Sequence, residues 1–299
     1  MTMPVLLPFV LLALSLSCLA AEGPDPNITA AEIMARVAAN QDRSEQLRKN
    51  YVYCQHVHVA THKPHGKLMR EETADYNVVP VPDGTRKELQ LLTGRYLDKG
   101  QYRDFRGEPR PHTNNVDAEL IDALRGDLAG DVRRSAPGQN VHIDFDEDLP
   151  TRDGIASGLF PLTSAQQEKY SYRLIGEEIF QGRPAYHIAF GPKNKYDFEW
   201  AGEAYIDKQE FQPMLVFTKL SRPVPFALRA FLGTDLPGMG FSVQYARQPD
   251  GAWFPSSFGT EFHLKVLYFL NRDVSLSLDN RDFQHTQVDT RIQYEGELH

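Results

Sequence analysis

The sequence predicts a mainly β fold, a curled antiparallel meander covered by an N-terminal helix and a short central helix. Three observations carry this. Beyond residue 50, apolar and polar residues alternate with period two in about ten segments. Short turns rich in Gly, Pro, Asn and Asp join most of them, which suits antiparallel neighbours. The chain has 299 residues, 41% hydrophobic and 11% aromatic, enough apolar surface to offset the entropy of ordering one large sheet. A sheet of that many strands must curl.

The N-terminus comes first. Val5–Ala20 is an apolar run followed by small residues and then Glu22, Gly23 and Pro24. It is too short for a bilayer-spanning helix, which needs about 20 apolar residues. It fits a secretory signal over residues 1–20, with Cys18 and Ala20 as the small residues before a cut at Ala21. Met1–Pro4 lacks the usual Lys or Arg. Export is the expectation, with an uncleaved anchor helix as the other reading. A cut before Cys18 would instead leave a lipid-anchored cysteine, although Ser15 stands where bacterial lipoproteins carry Leu. With Cys18 removed, Cys54 is the one cysteine left, and no intrachain disulfide can form. Beyond residue 21 no apolar run approaches membrane length, so the mature body is expected to be soluble.

A linker over 21–28 leads to Thr29–Lys49, an amphipathic helix. Thr29 can cap it with Glu32 three residues on, and Ile33, Val37 and Leu47 mark its stripe. Tyr51–Ala60 then reads as a strand with Tyr51, Tyr53, Val57 and Val59 on one face and Val52, Cys54, His56 and His58 on the other. Turns at Lys63–Lys67 and Pro82–Gly84 link it to Leu68–Val79 and Thr85–Leu92. Asp117–Leu128 has helical spacing at Leu120, Ile121, Leu124 and Leu128, with Asp117 as N-cap. Around it, 107–153 looks like an irregular insert, and Arg133–Asp153 like loop.

Strands resume at Tyr170–Ile179, and Gln181-Gly182 turns the chain into Pro184–Phe190. Further candidates are Gly202–Asp207, Pro213–Leu220, Phe241–Arg247, Trp253–Phe262, Val266–Leu278 and Phe283–Tyr294. Residues 29–299 form one domain in this reading, with no internal repeat. Most of the 17 phenylalanines lie from Phe190 onwards. An aromatic inner face either fills the centre of a curled sheet or lines an apolar cavity.

Composition excludes several classes. The 32 Lys+Arg against 40 Asp+Glu leave a net charge of −8, which argues against nucleic acid as a partner. Two cysteines exclude a disulfide-dense scaffold and a zinc ribbon. No Gly-x-Ser-x-Gly elbow, phosphate loop, dinucleotide fingerprint or His-Glu-x-x-His occurs, so no cofactor and no enzyme activity are expected.

The informative stretch runs Gly182-Arg183-Pro184-Ala185-Tyr186-His187-Ile188 with Pro192, then Gly202-Glu203-Ala204-Tyr205-Ile206-Asp207-Lys208 and Gln212-Pro213-Met214. It resembles the LolA/LolB-like lipoprotein carriers, in which Gly-Arg-x-x-Tyr on one strand is followed by an apolar strand ending in Asp-Lys and then by Pro. The N-terminal helix followed by Tyr51–Ala60 and Leu68–Val79 resembles that family's opening. The resemblance implies a half-open barrel of about eleven strands closed by helices, whose concave apolar side holds acyl chains without a chemical step. It implies a lipid or acylated protein as partner, with an envelope membrane protein as a further one, and a monomer. Asp207 itself reads as a turn residue and not as an acid catalyst.

The candidate cavity wall is Trp200, Phe217, Phe231, Phe241, Trp253 and Phe262. Phe226–Leu232, flanked by Pro223, Pro225 and Pro237, is a candidate lid through Phe226, Leu228, Phe231 and Leu232, or else a buried helical turn. Cys54, His56 and His58 share a strand face, with His62 and His65 in the next turn, and are the candidate metal ligands. The alternative for them is a solvated polar face. A Cys–His catalytic pair is disfavoured because side chains two apart on a strand point in parallel. Asp144–Asp148 fails as an EF-hand, since Leu149 and Ile155 stand where Gly and Glu are needed. Asn27-Ile28-Thr29 matches a glycosylation sequon. Three functions compete: an acyl-chain carrier, a non-catalytic envelope module with a filled centre, and a metal-dependent enzyme.

Overall fold

The computed structural model describes residues 28–81, 84–107, 116–129, 151–152, 155–156, 163–194, 200–221, 234–235, 240–266 and 270–286. The expected signal segment, most of the linker, the bulk of the 107–153 insert and the candidate lid lie outside them.

Helix α1 (Ala30–Arg48) starts where its capping box predicts. Thr29 accepts from the Glu32 amide at 3.2 Å and Glu32 accepts from the Thr29 amide at 2.8 Å, so two orphan donors are satisfied reciprocally. It buries Ile33, Met34, Val37 and Ala38. Strands β1 (Tyr51–His62), β2 (Leu68–Val81), β3 (Gly84–Asp98) and β4 (Gln101–Arg106) form a meander. Strand β3 runs past the expected end at Leu92. Lys99 and Gly100 both have positive φ, 47° and 86°, and this tight turn returns the chain into β4, which period two alone does not reveal.

Helix α2 (Val116–Ala129) buries Leu120, Ile121 and Leu124. Asp117 is not its N-cap but sits inside the first turn, where its carboxylate meets an arginine from the sheet. The short pair β5 (Thr151–Arg152) and β6 (Ile155–Ala156) stands apart, and α3 (Ser164–Gln167) is one turn. The second run comprises β7 (Tyr170–Phe180), β8 (Arg183–Pro192), β9 (Trp200–Asp207), β10 (Pro213–Leu220), β11 (Thr234–Asp235), β12 (Gly240–Arg247), β13 (Trp253–Val266) and β14 (Leu270–His285). Gln181 and Gly182, at φ 49° and 79°, make the expected two-residue turn between β7 and β8.

The sheet order is β4-β3-β2-β1-β14-β13-β12-β10-β9-β8-β7, antiparallel throughout, with β11 added on β13. Among the described residues the eleven-strand path is open, with β4 and β7 as its edges. The seam between the two runs is β1 with β14, where Val57 stands across from Leu278 and Val59 from Leu276. One face carries the main core and both long helices. Its members include Val57, Val59, Ala74, Leu92, Tyr186, Ile188, Ala204, Ile206, Val216, Val243, Leu276 and Leu278. A smaller cluster of Tyr51, Tyr53, Val78, Ala252 and Phe254 occupies one end. No helix among the described residues is long and apolar enough to cross a membrane.

Candidate functional site

The inner face is apolar because period two puts alternate residues there on every strand. Ala204 and Ile206 of β9, Val216 of β10 and Val243 of β12 are fully buried. Toward the N-terminal end of β9 this face becomes aromatic. The Trp200 and Phe241 rings meet edge-on at 4.7 Å, and Phe241 stacks with Phe258 at 5.6 Å. Phe262 continues the strip on β13, across from Val274. Phe258, which the strip needs at its centre, was not among the expected residues. Its alternation with Phe262 and Leu264 on β13 was the available signal.

Two other expected wall residues, Phe217 and Trp253, go elsewhere. Phe217 is 46% exposed and shares the outer face of β10 with Leu215 and Lys219, because Met214, Val216 and Thr218 are the buried alternates. Trp253 is buried away from the strip, beside the β9–β10 turn, where its indole donates to Glu210 Oε2 at 2.9 Å. Phe226, Leu228, Phe231 and Leu232 lie outside the described residues.

The motif residues build a polar joint at that turn. Arg183 Nε donates to Asp207 Oδ2 at 2.6 Å, and Asp207 Oδ1 accepts from the amides of Gln209 and Glu210 at 2.9 and 2.7 Å. Asp207 is therefore a turn residue with a fixed cationic partner, and that hydrogen bond raises the Arg183 guanidinium further above its ordinary range. Arg183 also reaches Glu210 at 3.0 Å. Helix α1 is pinned to the same joint: Asn40 donates to the Glu210 carbonyl at 2.7 Å and Gln41 to Gln212 at 2.6 Å. The polar residues of the motif thus secure α1 over the sheet.

At the other end of the inner face, charges point inward. Arg70 donates to Glu72 Oε1 at 2.6 Å, and its guanidinium lies 5.5 and 5.0 Å from the Tyr96 and Phe105 rings. Arg125 of α2 approaches Glu72 Oε2 at 3.5 Å. Burial raises the Glu72 carboxyl pKa, an effect only partly opposed by Arg70. Arg272 of β14 grips Asp117 of α2 through two hydrogen bonds of 2.5 and 2.8 Å. Sequence reading missed this group, because nothing in a strand pattern says that Arg70, Glu72 and Arg272 face a helix.

The outer face of β1 is the polar surface that the alternative reading allows. His56 Nδ1 lies 2.6 Å from Asp75, His58 Nε2 lies 3.8 Å from Glu71, and Cys54 Sγ lies 3.7 Å from Asn77. Each side chain is taken by a different neighbour on β2. Among the described residues no three of His, Cys, Asp and Glu gather as a metal site. A groove of about 330 Å³ beside them is lined by Cys54, Asp75, Asn77, Gln90 and Arg281. Further along this face His187 lies between Glu178 and Glu203, at 3.1 and 2.8 Å, and stacks on Tyr205 at 4.4 Å. Burial and those two carboxylates push the Tyr205 phenol up.

Comparison with solved structures finds distant similarities at low identity. Solved LolA superfamily proteins are similar to this chain. An outer-membrane lipoprotein-sorting protein domain from Vibrio parahaemolyticus matches at 12% identity and TM-score 0.37, covering 88% of this chain and 95% of that one. A LolA superfamily protein from Nitrosomonas europaea matches at 11% identity and TM-score 0.32, covering 89% of this chain and 97% of that one. The MucA/MucB complex of Pseudomonas aeruginosa matches at 11% identity and TM-score 0.23, covering 84% and 99%. No family model and no curated protein matches the sequence.

Proposed function

We propose that the protein is an exported, periplasmic carrier or binding protein for lipid or lipoprotein acyl chains. The observation that carries this reading is the aromatic strip of Trp200, Phe241, Phe258 and Phe262 on the inner face of an open sheet. Apolar burial contributes about 25 cal/mol per Å², so an acyl chain laid on such a strip needs little else for affinity. The signal-like run Val5–Ala20 supports export, with lipid anchoring through Cys18 as the alternative. The partner in this reading is a lipid or an acylated protein, delivered to or from an envelope membrane protein by a monomer. No catalytic step is required. Titration of the delipidated mature protein with a fluorescent fatty acid is expected to give saturable binding at one site per chain. Absence of saturable binding would remove the reading.

A second reading has a specific observation in its favour. Phe241, Phe258 and Phe262 are only 6, 4 and 7% exposed without any guest. A strip already covered suits a non-catalytic envelope module with a filled centre, and the same titration separates the two.

A further inference from the structure

We propose that Arg272 is the head-group anchor of the ligand site, and that Asp117 of α2 occupies it intramolecularly in the structure seen. This rests on the acyl-chain reading above and names the ligand more closely: an amphiphile with one carboxylate or phosphate at the end of its chain. Arg272 lies on the inner face of β14, in step with Val274, Leu276 and Leu278. It stands directly across from Leu264, and Val274, two residues on, stands across from Phe262. The guanidinium therefore marks the end of the aromatic strip.

Its contacts are those of a carboxylate receptor. Nε and Nη2 hold the two oxygens of Asp117 at 2.5 and 2.8 Å, the parallel fork that suits carboxylate and phosphate alike, while Nη1 donates to the Asn271 carbonyl at 2.9 Å. Both side chains are largely buried, at 13 and 7% exposure. A guanidinium so placed cannot be left alone, because a buried unpaired charge is costly. Among the described residues the other inward charges do not relieve it, since Glu72 is taken by Arg70 and Arg125. Whatever removes Asp117 must bring an anion of its own. An amphiphile does so: its head replaces one carboxylate by another anion at little net cost, while its chain covers the strip. The occupant it replaces is carried on α2, whose buried apolar anchors are Leu120, Ile121 and Leu124.

The test uses the delipidated mature chain and displacement of a neutral apolar probe, N-phenylnaphthylamine. Competitors are palmitate, palmitoyl lysophosphatidate, hexadecanol and inorganic phosphate. Palmitate and lysophosphatidate are expected to bind about tenfold more tightly than hexadecanol. Asp117→Asn, which frees the fork while keeping the shape, is expected to widen that ratio by a further factor of about ten. Arg272→Lys keeps the charge but loses the fork, and is expected to bring acid and alcohol within about threefold. The two acids ranked against each other tell a carboxylate head from a phosphate head. Equal binding of acid and alcohol by the wild type, an unaltered ratio in Asp117→Asn, or a ratio that survives Arg272→Lys would each overturn the anchor. So would displacement of the probe by inorganic phosphate alone, since the anchor is proposed to work only with a chain attached. Hexadecanol binding with no advantage for the acids removes the anchor but leaves the carrier. Failure of every amphiphile removes both.

Discussion

Asp207 illustrates what one side chain can hold. Fully buried, it accepts from Arg183 and from two backbone amides of its own turn, and that turn receives α1 through Asn40 and Gln41. Asp207→Ala is expected to cost about 3 kcal/mol in urea unfolding, because it leaves a cation and two donors unmatched. Asp207→Asn, which keeps an acceptor, should lose clearly less. Glu72 carries a pH signature of opposite sense to an ordinary salt-bridged carboxylate. Burial raises its pKa, so the native state takes up the proton more readily than the unfolded chain. Its contribution is therefore most favourable in acid and declines as pH rises through a window above the unfolded carboxylate value. Glu72→Gln, measured by unfolding across pH 4 to 8 (roughly the span between carboxylate titration and neutrality), should gain on the wild type as pH rises.

At the scale of elements, the hairpin β9–β10 depends on a close approach. Gly202 stands across from Thr218, and a Cβ there would lie 1.8 Å from the Phe217 carbonyl oxygen. The ladder on both sides leaves that oxygen nowhere to move. Gly202→Ala is expected to destabilise by about 3 kcal/mol in the same unfolding assay. Helices differ in how far their ends were legible. Thr29 and Glu32 announce the start of α1, because a capping box is a local device that needs no tertiary partner. Asp117 was read as a cap for α2 from the same kind of local rule, yet its carboxylate goes to Arg272, a residue 155 positions away. Strand β4 was missed because its side chains are nearly all exposed, which leaves no alternation to read, and only the Lys99-Gly100 turn betrays it.

Over the whole molecule, the chain's 2 tryptophans report on different ends of one sheet. Trp200 belongs to the aromatic strip through Phe241, whereas Trp253 is held by Glu210 beside the joint that carries α1. If acyl chains lie along the strip, a bound brominated fatty acid quenches Trp200 and leaves Trp253 bright. Steady-state fluorescence of Trp200→Phe should then lose the quenching, and that of Trp253→Phe should keep it. The opposite pattern would place the guest at the α1 end.

By itself the sequence determined the β character, the first helix with its cap, most strand positions and the buried sides of β1 and β9. All of these are local: alternation, turn chemistry and capping act within a few residues. Only the tertiary structure decided that β1 pairs with β14, that Phe217 and Trp253 leave the strip while Phe258 joins it, and that Arg272 meets Asp117. Pairings between distant segments follow from register and from the order in which the sheet brings its strands together. No stretch of neighbouring residues carries that information.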